Sequence, residues 1–420
     1  MKIGITPHLF VKKKVIMEKI PDKNITDEAQ AEAGELNIVE AKIGEHVKKR
    51  RRRSSDSGSK RKKHRRSSYK KNGKKKMKLW KKALIALGAV VLSLALIVTG
   101  TLLYLRGTGR QQFNESSYTI TAPESPDVRI KDNGNTIDYK GKTYKYKDYC
   151  TNMLFMGIDK KEYEEEKTEI GNKYQSDVII VISVDAKNNK VTLVNVPRDI
   201  ITDVSVYSKT GGYTGIEKLP IALSYAYGST DKESCLNCLD SVRRIFYNIP
   251  IKAFFSMEIS GIAVVNDEIG GVDVKSPENV YKDGNNLFEK DGEYHLEGDA
   301  ARDFVMCRTH ETANANLLRN ERQKIYLTEF MKKTISQTKS DFSTPVRLYN
   351  AAEDYSCTNI TLNGVTFLAT ELLGKGENLK TDTKTIPVDV KANGSYAENY
   401  IRDGEFYELF LNVFYDEVKK

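Results

Sequence analysis

Asp177, Arg198 and Asp199 are the residues of this 420-residue chain whose types and spacing most directly allow phosphate chemistry. Asp177 immediately precedes the apolar, β-branched run Val178–Val184. Arg198 and Asp199 closely follow a second such run, Val191–Val196. Asn188-Asn189 between the runs reads as a tight turn, so the two form an antiparallel hairpin. Antiparallel pairing sets the start of one strand beside the end of the next, which brings Asp177 and Arg198 to one sheet edge. Asp159 follows a third apolar run, Asn152–Gly157. If that run is also antiparallel to Val178–Val184, Asp159 reaches the same edge. Two carboxylates and a guanidinium fork suit a phosphate bound with Mg²⁺. The competing role is structural, because Asp in turns commonly caps its own backbone.

A second cluster holds Arg308, Arg319, Arg322 and Gln323. The last three begin a predicted helix, where donors near an N-terminus favour an anion. An ordinary solvated helix face is the alternative. His310, close to Arg308, reads as a solvated loop residue. There is no Gly-x-Ser-x-Gly elbow and no His-Glu-x-x-His zinc motif.

The elements that must position these residues are mixed. Val178–Val184 is almost continuously apolar, which suits a strand buried on both faces. Glu233–Asn248 has helical spacing with Leu236, Leu239, Val242, Ile245 and Phe246 on one face. Further strands are predicted at Ile251–Met257, Val272–Val274 and Thr385–Val390. Further helices are predicted at Glu258–Glu268, from Asp299, over Arg319–Ser336 and over Glu405–Tyr415. The fold class is therefore α/β: a mixed, largely central β-sheet flanked by helices.

The composition divides the chain. Lys and Arg total 67 against 57 acids, for a formal net charge of +10. Residues 42–82 carry roughly 21 Lys and Arg against two acids, so the basic excess belongs to this stretch and everything after it is net acidic. Residues 1–82, polar and poor in aromatics, read as a disordered basic cytoplasmic tail resting on anionic lipid rather than on nucleic acid. Ser54, Ser55, Ser67 and Ser68 there are candidate phosphorylation sites. Ala83–Leu105 has no charge, enough for a transmembrane signal anchor, and the basic flank orients its N-terminus to the cytoplasm. Residues 106–148 read as a stalk, with a weak hairpin near Asp132–Asn135, and 149–420 as an extracytoplasmic catalytic domain. All five cysteines follow the anchor. Cys235 and Cys238 read as a local disulfide or two ordinary thiols near a helix start.

The motifs Met153–Asp159, Ser176–Val181, Val194–Asp199, Lys218–Gly228, Ile249–Phe254, Ile269–Val274, Leu296–Ala300 and Arg319–Gln323 occur in an order that resembles the LytR–CpsA–Psr family of cell-wall phosphotransferases. The resemblance covers about 150–335. It implies transfer of an anionic or capsular glycopolymer from a polyprenyl-pyrophosphate carrier to a peptidoglycan sugar hydroxyl. It implies Mg²⁺ (or Mn²⁺) at Asp159 and Asp177. Pyrophosphate contacts would come from Arg198, Arg308, Arg319 and Gln323, with Arg322 and Lys218 as further substrate-binding candidates. Asp199 would orient Arg198 or accept the acceptor proton, and an apolar groove would hold the lipid tail. Where Met306-Cys-Arg308 stands here, many members have an Arg-x-Arg pair followed by an acidic, Gly-containing loop. One phosphate contact is thus missing or supplied from elsewhere.

Three other functions use parts of the same pattern. A lipid-pyrophosphate hydrolase would put water in place of the sugar hydroxyl. A wall-polymer binding module would need no turnover. A transcription attenuator would need the tail to bind DNA, and no helix-turn-helix pattern occurs there.

Overall fold

The computed structural model describes residues 93, 96–97, 99–114, 118–160, 169–171, 174–307, 315–373, 379–393 and 396–419. The basic tail, most of the predicted anchor, and Arg308 and His310 lie outside the described residues. Among the described residues no helix is long and apolar enough to cross a membrane.

A six-stranded mixed sheet forms the centre. Its strands are β1 (Thr151–Ile158), β2 (Ser176–Asp185), β3 (Lys190–Asn195), β4 (Ala253–Glu258), β5 (Ser356–Thr358) and β6 (Lys380–Thr385), in the order β5-β4-β1-β2-β3-β6. β1, β2 and β3 are antiparallel neighbours, with Val181 opposite both Leu154 and Val194. β4 is parallel to β1 and β6 is parallel to β3. Asn189 takes φ 54° in the turn between β2 and β3, a conformation Asn tolerates.

Strand alternation builds two cores. Leu154, Met156 and Ile158 of β1, with Ile179 and Val181 of β2, face one. It is closed by α1 (Asp231–Ile245) and, later in the chain, by the aromatic side chains of a helix at Asp403–Phe414. Val178, Ile180, Ile182 and Val184 face the other side. That side is covered by three helices that follow α2 (Gly261–Glu268) and α3 (Asp299–Met306): α4 (Ala315–Ser340), α5 (Thr344–Ala352) and α6 (Leu362–Leu373). The terminal Asp403–Phe414 helix is α7. A satellite core of Val272, Val280, Phe288, Leu296 and Phe304 fills the excursion between β4 and α4.

Two expectations change. The predicted strand Thr385–Val390 is two strands, β6 and Val388–Asn393, broken at Ile386-Pro387. Pro387 has no N–H, so the ladder ends with Ile386 N–H donating to Asn195 O at 3.1 Å. The predicted stalk is folded through most of its length. Val128–Lys131 and Thr136–Tyr139 form the expected hairpin. Lys142–Tyr146 extends it, and Tyr415–Glu417 from the chain's far end completes a four-stranded sheet. Residues 99–111 are helical and dock on α6. Arg106 pairs with Glu371, Asn363 Nδ2 donates to Thr108 Oγ1 at 3.1 Å, and Phe113 packs on Phe367 with centroids 5.6 Å apart.

Candidate functional site

The C-terminal end of β1 is shaped around Gly157. A Cβ there would lie 3.0 Å from Val178 Cβ, so any side chain would press on Val178. The β1–β2 register shifts at Gly157/Ile158, a bulge of the kind that re-aims the following side chain. Asp159 comes next. Its N–H donates to Gln175 O at 3.2 Å, and its Oδ1 accepts from Gln175 N–H at 2.6 Å. This reciprocal pair fixes Asp159 against the residues entering β2.

Asp177, the second residue of β2, is the hub. Its Oδ1 accepts from an Arg198 guanidinium nitrogen, and its Oδ2 lies 3.7 Å from Arg319 Nη2. Arg198 also donates Nε to Asp199 Oδ1 at 3.3 Å. The Arg198-Asp199 backbone is pinned on both sides: Ala222 N–H donates to Arg198 O at 3.0 Å and Asn399 N–H to Asp199 O at 3.0 Å. Burial pulls the Arg198 pKa down, but Asp177 and Asp199 outweigh it, so the group is held more firmly cationic than a free arginine.

Arg319 reaches the hub from α4. It is only 6% exposed, in contrast to a solvated helix face. Gln323, one turn on, donates to Val305 O at 3.1 Å. Asp159, Asp177, Arg319 and Gln323 all line one cavity of about 470 Å³ between the sheet end and α4. The sheet edge thus brings together Asp159, Asp177 and Arg198, as the hairpin argument requires, and α4 adds Arg319 and Gln323. Neither Arg198 nor Asp199 lines that cavity: Arg198 lines a small adjoining one with Asp177 and Gln323, and Asp199 pairs with Arg198.

Two candidates stand elsewhere. Arg322 is fully buried and committed. Its Nε donates to Glu278 Oε1 at 2.8 Å, and its two terminal nitrogens donate to Phe304 O and Cys307 O. Burial lowers its pKa and Glu278 only partly compensates. It braces α3 to α4 and does not line the cavity. Lys218 lies on the exposed strand Tyr213–Pro220, with Nζ 2.9 Å from Asp203 Oδ1, and does not line the cavity.

The resemblance implied an apolar groove, but sequence reasoning did not identify the residues that wall it. A second cavity, of about 350 Å³, lies between the sheet and α4, α5 and α6 and is almost wholly apolar. It shares Phe155, Met257, Ile262, Tyr326 and Leu327 with the first, so the charged end and the apolar space adjoin. The signal lay in the apolar faces of α5 and α6, which carry no motif.

Asp159 and Asp177 are two hard oxygen donors on neighbouring strands. Among the described residues no group of three or more His, Cys, Asp or Glu could cage a metal. Mg²⁺ or Mn²⁺ would take one or two such carboxylates and the rest of its shell from phosphate and water, sharing Asp177 with Arg198 and Arg319.

The sequence matches the profile of the LytR_cpsA_psr family over residues 111–408. Among curated proteins, it is 29% identical over 208 residues to the polyisoprenyl-teichoic acid–peptidoglycan teichoic acid transferase TagV of Bacillus subtilis (strain 168), covering 48% of each chain. It is 28% identical over 221 residues to the transferase TagU of Bacillus cereus, covering 53% of this chain and 63% of that one. The chain thus spans between about half and just under two thirds of the length of these relatives. A crystal structure of a Streptococcus agalactiae protein has the same fold, with a TM-score of 0.51 at 18% identity over 63% of this chain and 86% of that one. The profile covers most of the chain, the fold included, and on that ground this protein belongs to the LytR_cpsA_psr family.

Proposed function

We propose that this protein transfers an anionic or capsular glycopolymer, as its phosphate, from a polyprenyl-pyrophosphate carrier to a sugar hydroxyl of peptidoglycan. One observation carries the reading: a cavity lined by carboxylates and guanidinium adjoins an apolar cavity on the same face of the sheet. The donor is an amphiphile of that design, a pyrophosphate on a long hydrocarbon. The names of the relatives, teichoic acid transferases acting from polyisoprenyl carriers, agree with it.

In this reading the acceptor oxygen attacks the phosphorus that bears the glycan. The bond from that phosphorus to the bridging oxygen breaks, polyprenyl phosphate leaves, and the hydroxyl loses its proton. Arg198 and Arg319, fixed on Asp177 before substrate arrives, present positive charge where the pyrophosphate oxygens sit. Gln323 lines the same cavity and can donate to the same oxygens. Asp199 orients Arg198. A hard divalent cation at Asp159 and Asp177, when bound, neutralises charge on those oxygens. The apolar wall excludes water and holds the tail. Residues 83–105 anchor the chain in the cytoplasmic membrane with the folded domain outside, beside a lipid-borne donor.

The test uses the full-length chain in detergent with Mg²⁺, a polyprenyl-pyrophosphate oligosaccharide and peptidoglycan oligomers, followed by mass spectrometry. A phosphodiester-linked conjugate that disappears with Asp177→Ala is the expected result. Free sugar phosphate without conjugate would make the protein a hydrolase instead. Donor binding without any product would make it a binding module.

A further inference from the structure

Outside the proposed site, the described residues bring two thiols to one face of the central sheet. Cys235 lies in α1 and is fully buried. Cys357 lies in the three-residue edge strand β5 and is half-buried. Strand pairing sets Cys357 opposite Ser256 of β4. The Ser256 hydroxyl bridges the Cys357 backbone, accepting from its N–H at 3.2 Å and donating to its carbonyl at 3.0 Å. The Cys235 thiol donates to that same hydroxyl at 3.3 Å. Both cysteines pack on one apolar cluster. The neighbouring Cys357 thiol, with burial, raises the Cys235 pKa, and Cys235 in turn lowers that of Cys357, so the more exposed sulfur is the better nucleophile. Burial raises the pKa of Cys238, one turn along α1, with the Ser224 and Ser176 hydroxyls opposing the shift.

We propose that Cys235 and Cys357 are a disulfide-forming pair, oxidised by exchange with an external protein or small-molecule disulfide. The Cys357 thiolate attacks the external disulfide, forming a mixed disulfide and releasing one thiolate. The Cys235 thiol gives up its proton, attacks the Cys357 sulfur and releases the second. Two thiols become one cystine, and the oxidant gains the two electrons and two protons. The chain between the two cysteines holds α2, α3, α4 and α5, and with them Arg319, Gln323 and much of the apolar wall. The bridge therefore closes that whole excursion and constrains the unfolded chain over a long loop. It pins the short strand β5 to the helix α1 that packs on the same face of the sheet. This pairing is independent of the transfer reaction.

Tryptic mapping separates the two possible pairings. Cleavage after Lys232 and Arg243 leaves Cys235 and Cys238 on one peptide, 233–243. Cleavage after Arg347 and Lys375 leaves Cys357 on another, 348–375. The full-length chain is equilibrated with oxidised glutathione, denatured, alkylated without reduction and digested. The expected product joins the two peptides and is about 2 Da lighter than their sum. It forms equally in Cys238→Ser and is absent in Cys357→Ser. Oxidation raises the melting temperature by roughly 5 °C or more in the wild-type chain and leaves Cys357→Ser unmoved. Peptide 233–243 alone and about 2 Da lighter, or alkylation of both Cys235 and Cys357, overturns the proposal.

Discussion

Arg319 and Arg322 sit less than one turn apart on α4 and have opposite roles. Arg319 reaches Asp177 in the cavity, whereas Arg322 is enclosed by Glu278 and the carbonyls that end α3. Replacing Arg319 or Asp177 by Ala should leave the fold intact and cut the transfer rate by at least roughly a hundredfold, the scale of losing a preorganised charge contact. Circular dichroism and the conjugate assay check the two halves of that statement. Replacing Arg322 by Ala should instead cost about 3–5 kcal/mol in denaturant unfolding, because Glu278 is left buried without its cation. Cys150 offers a chemical probe. Burial, with Asp185 adding to it, pushes its thiol up to about 12, which favours the neutral form. Native-state alkylation at pH 8 should run roughly a hundredfold or more below that of a peptide thiol. Asp159, Asp177 and Arg198 were legible from strand order alone. The separation of Arg319 from Arg322 was not, since spacing on one helix does not reveal which neighbours other elements bring.

At the scale of elements, the antiparallel β2–β3 pair was readable because a continuous β-branched run, a two-Asn turn and a second run leave few alternatives. α1, α4 and α7 were readable from their apolar spacing, within a few residues at each end. The parallel partner β6 was not, because Lys380–Thr385 is polar at every position and takes its place by pairing with β3. α5 and α6 were also missed, and they form the far wall of the apolar cavity. Filling that wall provides a test. Leu368→Trp should raise the KM for a long-chain polyprenyl donor at least roughly tenfold, and leave a short-chain donor within about twofold, because only the long tail loses apolar burial. Equal effects on both donors would mean that the tail lies elsewhere.

The whole molecule differs most from expectation at its N-terminal side, where the anticipated stalk is part of the fold. Hairpin turn residues gave a hint, but the strand that completes this sheet, Tyr415–Glu417, arrives from the far end of the chain. Gly109 marks the other join. A Cβ there would collide with the Asn363 carbonyl and crowd Phe367 Cβ at 2.8 Å. Gly109→Leu should therefore release the 99–111 helix from α6, seen as faster amide exchange in both segments with the central sheet unchanged.

That join has a consequence for how such a protein would search for its partners. Under the anchored topology proposed above, a helix rises about 1.5 Å per residue, so the clamp from Arg106 to Phe113 begins at the predicted end of the anchor and leaves no slack. In that topology the domain would be mounted rather than leashed. It would sweep the plane of the bilayer and never the depth of the wall. Its encounter rate would then scale with the surface density of donors in the membrane, and acceptors would have to come down to it.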